Sequence, residues 1–409
     1  MQRLLSINSY HYRRGGADAV YLDHARLFGE RGWENQFFSM EHPRNIATAD
    51  PVTLTSMVDY EFSTTGKAKA ITALKSIYNI EASRKIDHLL QDFRPDIAHV
   101  HGAYHHLTPA IFPRLSSRGI PIVLTAHDFK ILCPAYTMYR NGMVCEACKG
   151  GQKWNVVRNR CIKGGLAASL VVGFEAGLHG LLNSYRKHVS MVIAPSEFYR
   201  AKFLEWGWPA ERIEHIPNYT NSISAEHDGA YSEPILYFGR LSAEKGLETL
   251  VQAAAAAKVP VNIVGSGPMA EPLQMLIDAL DAPVRLVGRL EGAALWRALG
   301  RSKATVLPSE WYENGPISVL ESFELARPVI GADIGGIPEM LTQSGGGWLF
   351  ESGNVTALAD LLAHVDGLGV SALQEKGVAG RDHARRFHTE DAYFAKMAGV
   401  YQRLKGCVT

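Results

Sequence analysis

Cysteine, net charge and long uncharged apolar runs are all scarce in this chain of 409 residues. Five cysteines are too few for a disulfide-stapled scaffold of this length. A formal net charge of +1 provides no global field that would attract nucleic acid, so we expect no nucleic-acid partner. The length suggests two or three domains, and 46% hydrophobic with 20% charged residues is ordinary for a globular enzyme.

The sequence also has little that suggests export or membrane insertion. Its first residues, MQRLLSINSYHYRRGG, lack the charged segment and long apolar core of an export signal. The most apolar stretch, residues 164–182, contains Glu175 and His179, which predicts a buried or interfacial helix and not a membrane span. We therefore expect a reducing, cytoplasmic location.

What the sequence does contain is an alternation of strand-like and helix-like segments. Apolar runs such as RLLSIN, DIAHVH and PIVLTA alternate with helical patterns, and the rhythm restarts at ILYFG after a polar stretch at 216–234. This alternation predicts an α/β fold with two parallel sheets that face each other across a cleft. We place a first Rossmann-like domain at 1–220, a second at 221–385 and a final helical segment at 386–409.

Two basic residues follow the first strand of the second domain. In ILYFGRLSAEKG, Arg240 and Lys245 are predicted beside the N-terminus of a helix that Gly246 opens. Cations at a helix N-terminus suit a diphosphate. The alternative is a solvated turn with incidental basic residues.

Two glutamates with seven residues between them lie in WYENGPISVLESFE. We predict Glu313 in a loop and Glu321 inside a helix that has Pro316 at its first position. A rise of about 1.5 Å per residue separates their Cα atoms by roughly 10 Å or more, whereas a retaining glycosidase holds its carboxyls about 5 Å apart. The pair therefore indicates two anchors for one long ligand. A solvated helix with one glutamate favoured by the helix dipole is the alternative.

A glycine pattern supports a rival class of enzyme. VGSGPMA, with Gly265 and Gly267, matches the G-x-G-x-x-A fingerprint of NAD-dependent oxidoreductases. It follows the second strand of its domain and not the first, and no acidic residue ends the next strand. We interpret Pro268 simply as the start of a helix.

A cysteine-rich insertion spans residues 133–161. Its Cys-x2-Cys turn followed by glycines is a common half of a structural zinc site, and two more cysteines flank it. Free buried cysteines and a redox pair are the alternatives. The insertion follows His127 and Asp128, so we expect it to lie over the first-domain side of the cleft. The candidate zinc ligands are Cys133, Cys145, Cys148 and Cys161.

Histidines at 99, 101, 105 and 106 also invite a metal interpretation. His99 and His101 would share one face of a strand. We favour a structural role for them without a metal.

The order of motifs closely resembles the retaining glycosyltransferases of family 4, which have the GT-B fold. GRLSAEKG, LVGRL and PSEWYENGPISVLESFELARPVIGADIGGIPEML follow the family in order, with Glu313 and Glu321 as its glutamate pair and a GG-P-E motif at 335–339. RRGGAD, PDIAHVHG and PIVLTAHD resemble its amino-terminal half. The resemblance covers nearly the whole chain.

The resemblance implies the roles of the catalytic residues. Arg240 and Lys245 would hold the donor diphosphate and neutralise the leaving group without a metal. Glu313 would face the transferred sugar and His127 would contact the donor sugar.

Further residues are implied in donor binding. Glu321 would bind the ribose hydroxyls, and Gly16 would let the backbone approach the phosphate. Backbone amides near Ile317 would touch phosphate or sugar, and the backbone around Arg289 and Leu290 would meet the base. Pro316 and Gly315 depart from the family, which commonly has glycine and an aromatic residue there, so one N–H donor is lost.

As a whole, the resemblance implies transfer of a sugar from a UDP- or GDP-type nucleotide sugar to a saccharide or lipid-linked acceptor, with retention and without a catalytic metal. Bacterial polysaccharide assembly, peripheral contact with the inner face of the membrane and a last helix that packs back on the first domain are further implications. A GT-B sugar-nucleotide epimerase and a non-catalytic sugar-nucleotide-binding subunit are the alternatives. Intact Arg240, Lys245, Glu313 and Glu321 argue against the second of these.

Overall fold

The computed structural model describes residues 1–58, 66–220 and 230–406. Cys407 and residues 221–229 of the predicted inter-domain stretch lie outside this part of the chain. The strands are β1 (Arg3–Asn8), β2 (Glu34–Met40), β3 (Val52–Thr55), β4 (Ile97–Gly102), β5 (Ile122–Thr125), β6 (Tyr139–Arg140), β7 (Met143–Val144), β8 (Val189–Ala194), β9 (Ile213–His215), β10 (Ile235–Phe238), β11 (Val261–Val264), β12 (Val284–Gly288), β13 (Thr305–Leu307), β14 (Val329–Ala332) and β15 (Gly347–Phe350).

Helices connect most of these strands within the described residues. They are α1 (Gly16–Glu30), α2 (Gly66–Ile77), α3 (Ile80–Asp92), α4 (Phe112–Ser116), α5 (Asn155–Arg158), α6 (Leu166–Leu181), α7 (Ser184–His188), α8 (Glu197–Glu205), α9 (Leu247–Ala257), α10 (Ala270–Leu280), α11 (Gly292–Arg301), α12 (Ile317–Glu324), α13 (Ile337–Ser344), α14 (Val355–Asp366), α15 (Val370–Phe387) and α16 (Glu390–Gly406).

Two parallel sheets organise the molecule, and they confirm the predicted α/β class. The first has seven strands in the order β3-β2-β1-β4-β5-β8-β9, and the second has six in the order β12-β11-β10-β13-β14-β15. The strand order reverses beside β1, which pairs with β2 and β4, and beside β10, which pairs with β11 and β13. Ligands of such sheets bind at the carboxyl ends of the strands, at these reversals.

The inner strands of each sheet are buried on both faces, which is why they are nearly continuous apolar runs. All four residues of β5, IVLT, are buried. Helices α3 and α4 contribute to the large cluster on one face of the first sheet, and α9 and α14 contribute to that of the second. The loops at the carboxyl ends of the strands lie outside these two cores and face each other between the domains.

The last helix, α16, packs on the first domain although it follows the second. Tyr393, Met397 and Tyr401 are buried with Leu4 and Phe28 in one cluster. Ion pairs reinforce this contact, among them Lys405 Nζ with Asp96 Oδ1 at 2.9 Å. The helix therefore connects the end of the second domain to the back of the first sheet.

The cysteine-rich insertion is an ordered extension of the first domain. Its β6–β7 hairpin and α5 precede α6, and Met138 and Val156 join the core of the first sheet. Lys130 Nζ and Glu175 Oε2 form a buried ion pair of 2.7 Å that ties the start of this region to α6. Glu175 is the carboxylate that interrupts the apolar stretch at 164–182.

Helix α6 is apolar on an exposed face. Leu166, Phe174 and Leu181 are 48, 56 and 85% exposed, while Val172 and Glu175 face inward. Among the described helices, none is by itself both long and apolar enough to cross a membrane; α14 taken with residues 370–406 meets the length and composition only as a pair bent by 111°.

Two predicted helix starts were misplaced by one or two residues. Pro316 is the N-cap of α12 and not its first residue, since its ψ of 115° is extended. Helix α10 begins at Ala270, two residues after Pro268, with Met269 as its cap. Strands β2, β3, β6, β7, β9 and β15 are not predicted by the apolar runs.

Candidate functional site

The loop after β10 brings two cations to the carboxyl edge of the second sheet. Arg240 is exposed, and Lys245 lies one residue before Gly246, which caps α9 with a φ of 65°. A Cβ at Gly246 would overlap the carbonyl oxygen of Pro308, so glycine is required both by the left-handed backbone and by this packing. The loop after β10 is thereby held against the loop after β13.

Lys245 and Glu313 form an ion pair in this site. Lys245 Nζ lies 2.6 Å from Glu313 Oε1, and the Ser309 hydroxyl donates to the same oxygen at 2.6 Å. Glu313 is 6% exposed. Burial acts to raise the pKa of the Glu313 carboxyl, but Lys245 and the Ser309 hydrogen bond outweigh it and leave that pKa below its ordinary value. Glu313 is therefore an ionised, buried carboxylate.

The loop that carries Glu313 rests on a pair of glycines. A Cβ on Gly335 would overlap the backbone of Glu313, and one on Gly336 would overlap the carbonyl oxygen of Asn314. The Gly336 N–H donates to the Glu313 carbonyl at 2.8 Å. The two glycines of the GG-P-E motif thus pack directly against the backbone of this loop. A residue with a Cβ at either position would prevent that packing.

The same loop contacts the first domain. Asn314 Nδ2 donates to the Ala126 carbonyl at 2.6 Å, directly before His127. Asn218 Nδ2 donates to the Gly315 carbonyl at 2.8 Å, and a Cβ on Gly315 would lie 2.9 Å from Pro195 O. This last contact gives a physical reason for the glycine at position 315.

Glu339, the last residue of the GG-P-E motif, fastens the domains together at a second place. Its carboxylate oxygens accept the backbone N–H groups of Glu197 and Phe198, each at 3.1 Å. These are the first two residues of α8, so a carboxylate of the second domain satisfies a helix N-terminus of the first. The motif was recognised from the sequence, but this contact was not foreseen.

Gly16 and Ile317 meet across the cleft. Gly16 is the first residue of α1, and a Cβ there would lie 3.3 Å from Ile317 Cδ1 at the start of α12. The N-termini of α1 and α12 therefore approach one another, each with backbone N–H groups suited to an anion. Gly16 has no positive φ, so the close approach and not the backbone conformation favours glycine.

Glu321 lies in the second turn of α12. Burial raises the pKa of its carboxyl to about 7. Its protonation state therefore changes near neutral pH, whereas Glu313 stays ionised.

His127 follows β5 on the opposite wall. Its Nε2 lies 3.0 Å from His101 Nδ1. Burial lowers the pKa of the His127 imidazole to about 4, so the ring is neutral at pH 7. The ring is a neutral polar group next to the Asn314 bridge.

Arg289 and Leu290 lie after β12, farther along the same edge. Arg289 is exposed and pairs with Glu291 at 2.5 Å, while Leu290 packs with Leu236 and Val264. A base contact here would therefore come from backbone groups and not from the Arg289 guanidinium.

The glycines of VGSGPMA have a packing role. A Cβ on Gly265 would overlap the Gly239 carbonyl, and one on Gly267 would overlap the backbone of Leu241. Leu241 N also donates to Ser266 O at 3.0 Å. This packing of the loop after β11 on the loop after β10 explains both glycines without a dinucleotide.

The four cysteines of the insertion are free thiols in the structure. Burial is the main cause that raises the pKa of Cys148 to about 12, and the nearby Cys133, Cys145 and Cys161 also raise it. Within the described residues, the group of three or more potential ligands whose atoms lie within 4.8 Å of one another is His24, His99 and His101. The thiols are thus neighbours that are not drawn together to that distance.

Comparison with known proteins identifies the family. The sequence model of Glycosyltransferase Family 4 matches residues 14–221, just over half of the chain, and that of Glycosyl transferases group 1 matches residues 230–365. The chain belongs to Glycosyltransferase Family 4. The resemblance seen in the motifs is confirmed, and glycosyl transfer is the class of reaction.

Individual relatives of this family 4 glycosyltransferase are distant. The amylovoran biosynthesis glycosyltransferase AmsK of Erwinia amylovora is 23% identical over 273 residues, which is 61% of this chain and 67% of AmsK. Sucrose-phosphate synthase of Thermosynechococcus elongatus matches with a TM-score of 0.71 at 17% identity over 100% of both chains. Anabaena HepE, solved with UDP and glucose, matches with a TM-score of 0.68 at 16% sequence identity, over 98% of this chain and 100% of HepE. The two structures confirm the GT-B fold.

Adding a methyl group at Gly335 should destabilise this glycosyltransferase far more than adding one at Gly345. Both glycines have a φ of 64°. A Cβ added at Gly345 would point into open space, whereas one added at Gly335 would overlap the Glu313 backbone. Gly345→Ala should cost about 1–2 kcal/mol for the left-handed conformation alone. Gly335→Ala should cost about 2 kcal/mol more, because backbone cannot move aside as a side chain can. Denaturant unfolding measures both, and equal losses would contradict the packing argument.

Proposed function

We propose that the protein is a retaining, metal-independent glycosyltransferase that uses a nucleotide-diphosphate sugar of UDP or GDP type. The observation that carries this proposal is the convergence, at one cleft, of Lys245 and Glu313 with the N-termini of α1 and α12. HepE, a neighbour in fold, was solved with UDP and with UDP-glucose, which supports a nucleotide-sugar donor. In this proposal Glu321, one turn into α12, would bind the ribose hydroxyls.

The cations of the site are suited to a diphosphate leaving group. Lys245 neutralises Glu313, and Arg240 is exposed in the same loop after β10. A diphosphate entering at the helix N-termini would compete with Glu313 for Lys245 and would also engage Arg240. Two protein cations would then supply the charge stabilisation that a divalent metal gives in other transferases.

The proposed reaction proceeds on one face of the sugar. The bond from the anomeric carbon to the diphosphate oxygen breaks, and its electron pair remains on the diphosphate. The acceptor oxygen bonds to the same carbon from the same side, and the acceptor proton passes to the departing phosphate oxygen. Glu313, ionised and next to the transferred sugar, would stabilise the positive charge that develops on the ring.

The acceptor is proposed to be a saccharide or a lipid-linked saccharide. AmsK is named for amylovoran biosynthesis, which supports a polysaccharide setting. The exposed apolar face of α6 supports an acceptor presented at a membrane. Between residues 147 and 196 Glu175 is the sole acidic residue, and it is buried, so the exposed charges there come from lysine and arginine. An anionic lipid surface is therefore complementary to the exposed cations of this segment.

The experiment that tests the function is product analysis with UDP-, GDP- and ADP-sugars in EDTA. We expect one donor type to be used, with retained configuration by NMR and faster transfer to a lipid-linked acceptor in anionic vesicles than to its soluble analogue. Inversion, or activity only with added metal, would contradict the proposal. Conversion of the donor sugar without an acceptor would instead support the epimerase.

Glu313→Gln is the informative variant in this assay. We expect turnover to fall by roughly a hundredfold, because a charge that stabilises the transition state is lost. Nucleotide affinity should not fall, because the diphosphate no longer competes with a carboxylate for Lys245. Asp360→Asn, which removes an exposed carboxylate of α14, is the matched control and should leave turnover unchanged.

Nucleotide binding should depend on pH through Glu321. If its carboxylate accepts hydrogen bonds from ribose hydroxyls, a pKa of about 7 means that affinity decreases as the pH falls through 7. Calorimetric titration of UDP, GDP and ADP should identify one binder, with affinity about tenfold lower at pH 6 than at pH 8. Glu321→Gln should bind more weakly at pH 8 and lose this slope. The phosphate groups of the nucleotide change protonation in the same way with the parent protein and with Glu321→Gln. If the pH dependence of affinity is the same in both, Glu321 does not bind the ribose as proposed.

We also propose that the insertion holds a structural zinc through Cys133, Cys145, Cys148 and Cys161. Cys133 and Cys148 are buried, and Cys145 and Cys161 lie at intermediate exposure in the same small unit. Binding would require the turn at 145–148 to close on the other two thiols, and Zn²⁺ would offset the repulsion between thiolates. The zinc would stabilise a region whose short elements offer little core.

Elemental analysis checks the zinc proposal. Protein purified without added metal should contain about one zinc per chain. Cys148→Ser should lose the metal and lower the unfolding temperature, whereas Cys407→Ser, outside the insertion, should keep it. Fully reduced protein without zinc would end the proposal.

A further inference from the structure

Four histidines form a buried group behind the cleft. His99 and His101 project from the same face of β4, with ring centroids 4.3 Å apart and an 18° angle between the planes. His24 of α1 lies 4.5 Å from His99 and 5.3 Å from His101. His127 stacks on His101 at 5.3 Å. The group therefore extends from the back of the first sheet to the wall of the cleft.

Hydroxyl groups hydrogen-bond the two histidines that lie farthest from the cleft, His24 and His99. The Tyr401 hydroxyl bonds both His99 Nδ1 and His24 Nε2, the latter at 2.9 Å. Tyr393 bonds His24 Nδ1 at 2.9 Å, and Thr125 bonds His99 Nε2 at 2.7 Å. All four ring nitrogens of His24 and His99 are therefore engaged. The spacing of His24, His99 and His101 would suit a metal, but these bonds leave His24 and His99 no free lone pair.

The rings are neutral. Burial lowers the pKa of the His101 imidazole well below its ordinary value, and the neighbouring His99 and His127 lower it further. Burial and the neighbouring His24 and His127 do the same to the pKa of His99. Each ring thus carries one N–H and one bare nitrogen, and the tautomer decides which nitrogen can donate.

His101 has two ring nitrogens in different surroundings. Nδ1 lies 3.0 Å from His127 Nε2, whereas Nε2 is buried without a hydrogen-bond partner. A buried N–H without an acceptor is rarer in proteins than a buried acceptor without a donor. The proton of His101 therefore belongs on Nδ1, from which it is donated to His127 Nε2.

We propose that His101 is a positioning residue that fixes His127 in the tautomer protonated on Nδ1. With Nε2 accepting from His101, Nδ1 is the ring nitrogen left for a ligand, and it carries hydrogen. His127 then presents a hydrogen-bond donor to the cleft, suited to a hydroxyl oxygen of the bound sugar, and it is not available as a base. The role toward sugar rests on the proposed function; the tautomer does not.

The consequence agrees with the proposed route of the acceptor proton. Neither nitrogen of His127 can take that proton, because one is occupied by a donor and the other is already protonated. The proton must therefore pass to another group, which in the proposed route is the departing phosphate oxygen. By fixing the tautomer, His101 allows His127 to orient the sugar and prevents it from acting as a general base.

Nitrogen-15 NMR of the full-length protein tests the inference directly. Two-bond correlation spectra of histidine-labelled protein at pH 7.5 distinguish a protonated from a bare ring nitrogen. We expect the His127 signals to show protonated Nδ1 and bare Nε2, assigned by their loss in His127→Gln. A His127 ring protonated on Nε2, or a charged ring, would overturn the proposal without any variant of His101.

A pair of His101 variants provides the second readout. Asparagine places an amide near the position of Nδ1 and can still donate to His127, whereas glutamine places it near Nε2 and cannot. We expect His101→Asn to keep the His127 tautomer and His101→Gln to shift it or average the two. If the protein transfers sugar, His101→Gln should lower kcat about tenfold with little change in nucleotide Kd, and His101→Asn should restore most of kcat.

The outcomes separate this inference from the proposed function. The expected tautomer together with no transfer from any sugar nucleotide would retain the inference and reject the function. Transfer with an unchanged tautomer in His101→Gln would retain the function and reject the inference.

Discussion

The site depends on the packing of one loop, residues 313–315, between two surfaces. Gly335 and Gly336 let its backbone approach from the second domain, and Ala126 and Asn218 bind it from the first. Because this loop carries Glu313 and leads into α12, its placement also fixes the N–H groups of that helix and the carboxylate of Glu321. Glu313, Glu321 and the wall that bears His127 are thereby held in one connected arrangement.

A buried ion pair balances the charge of Glu313 in the cleft. A buried carboxylate without a partner would be strongly unfavourable, and Lys245 supplies that partner to Glu313. In the proposed function, a diphosphate replaces Glu313 as the partner of Lys245, and the freed carboxylate faces a sugar whose charge becomes positive in the transition state. In that proposal one ion pair stabilises the buried carboxylate, and both of its members would act on the substrate.

Local patterns accounted for much of this arrangement. Apolar runs separated by helical segments predict two parallel sheets, and the positions directly after β10 and β13 drew attention to Arg240, Lys245 and Glu313. Glycines were harder to interpret. Gly265 and Gly267 resembled a dinucleotide site but serve the packing of neighbouring loops. A glycine pattern in sequence does not reveal whether the atom it makes room for belongs to a ligand or to the chain itself.

The sequence by itself determined the fold class, the family and the edge of the sheets where the site lies, because periodicity and motif order are local properties. Tertiary structure decided which groups are partners. Lys245 and Glu313 are 68 residues apart in the sequence, and the hydrogen-bonded Tyr401 and His99 are 302 residues apart. It also decided the protonation of Glu321 and the histidines, since desolvation depends on neighbours that only the folded chain brings together.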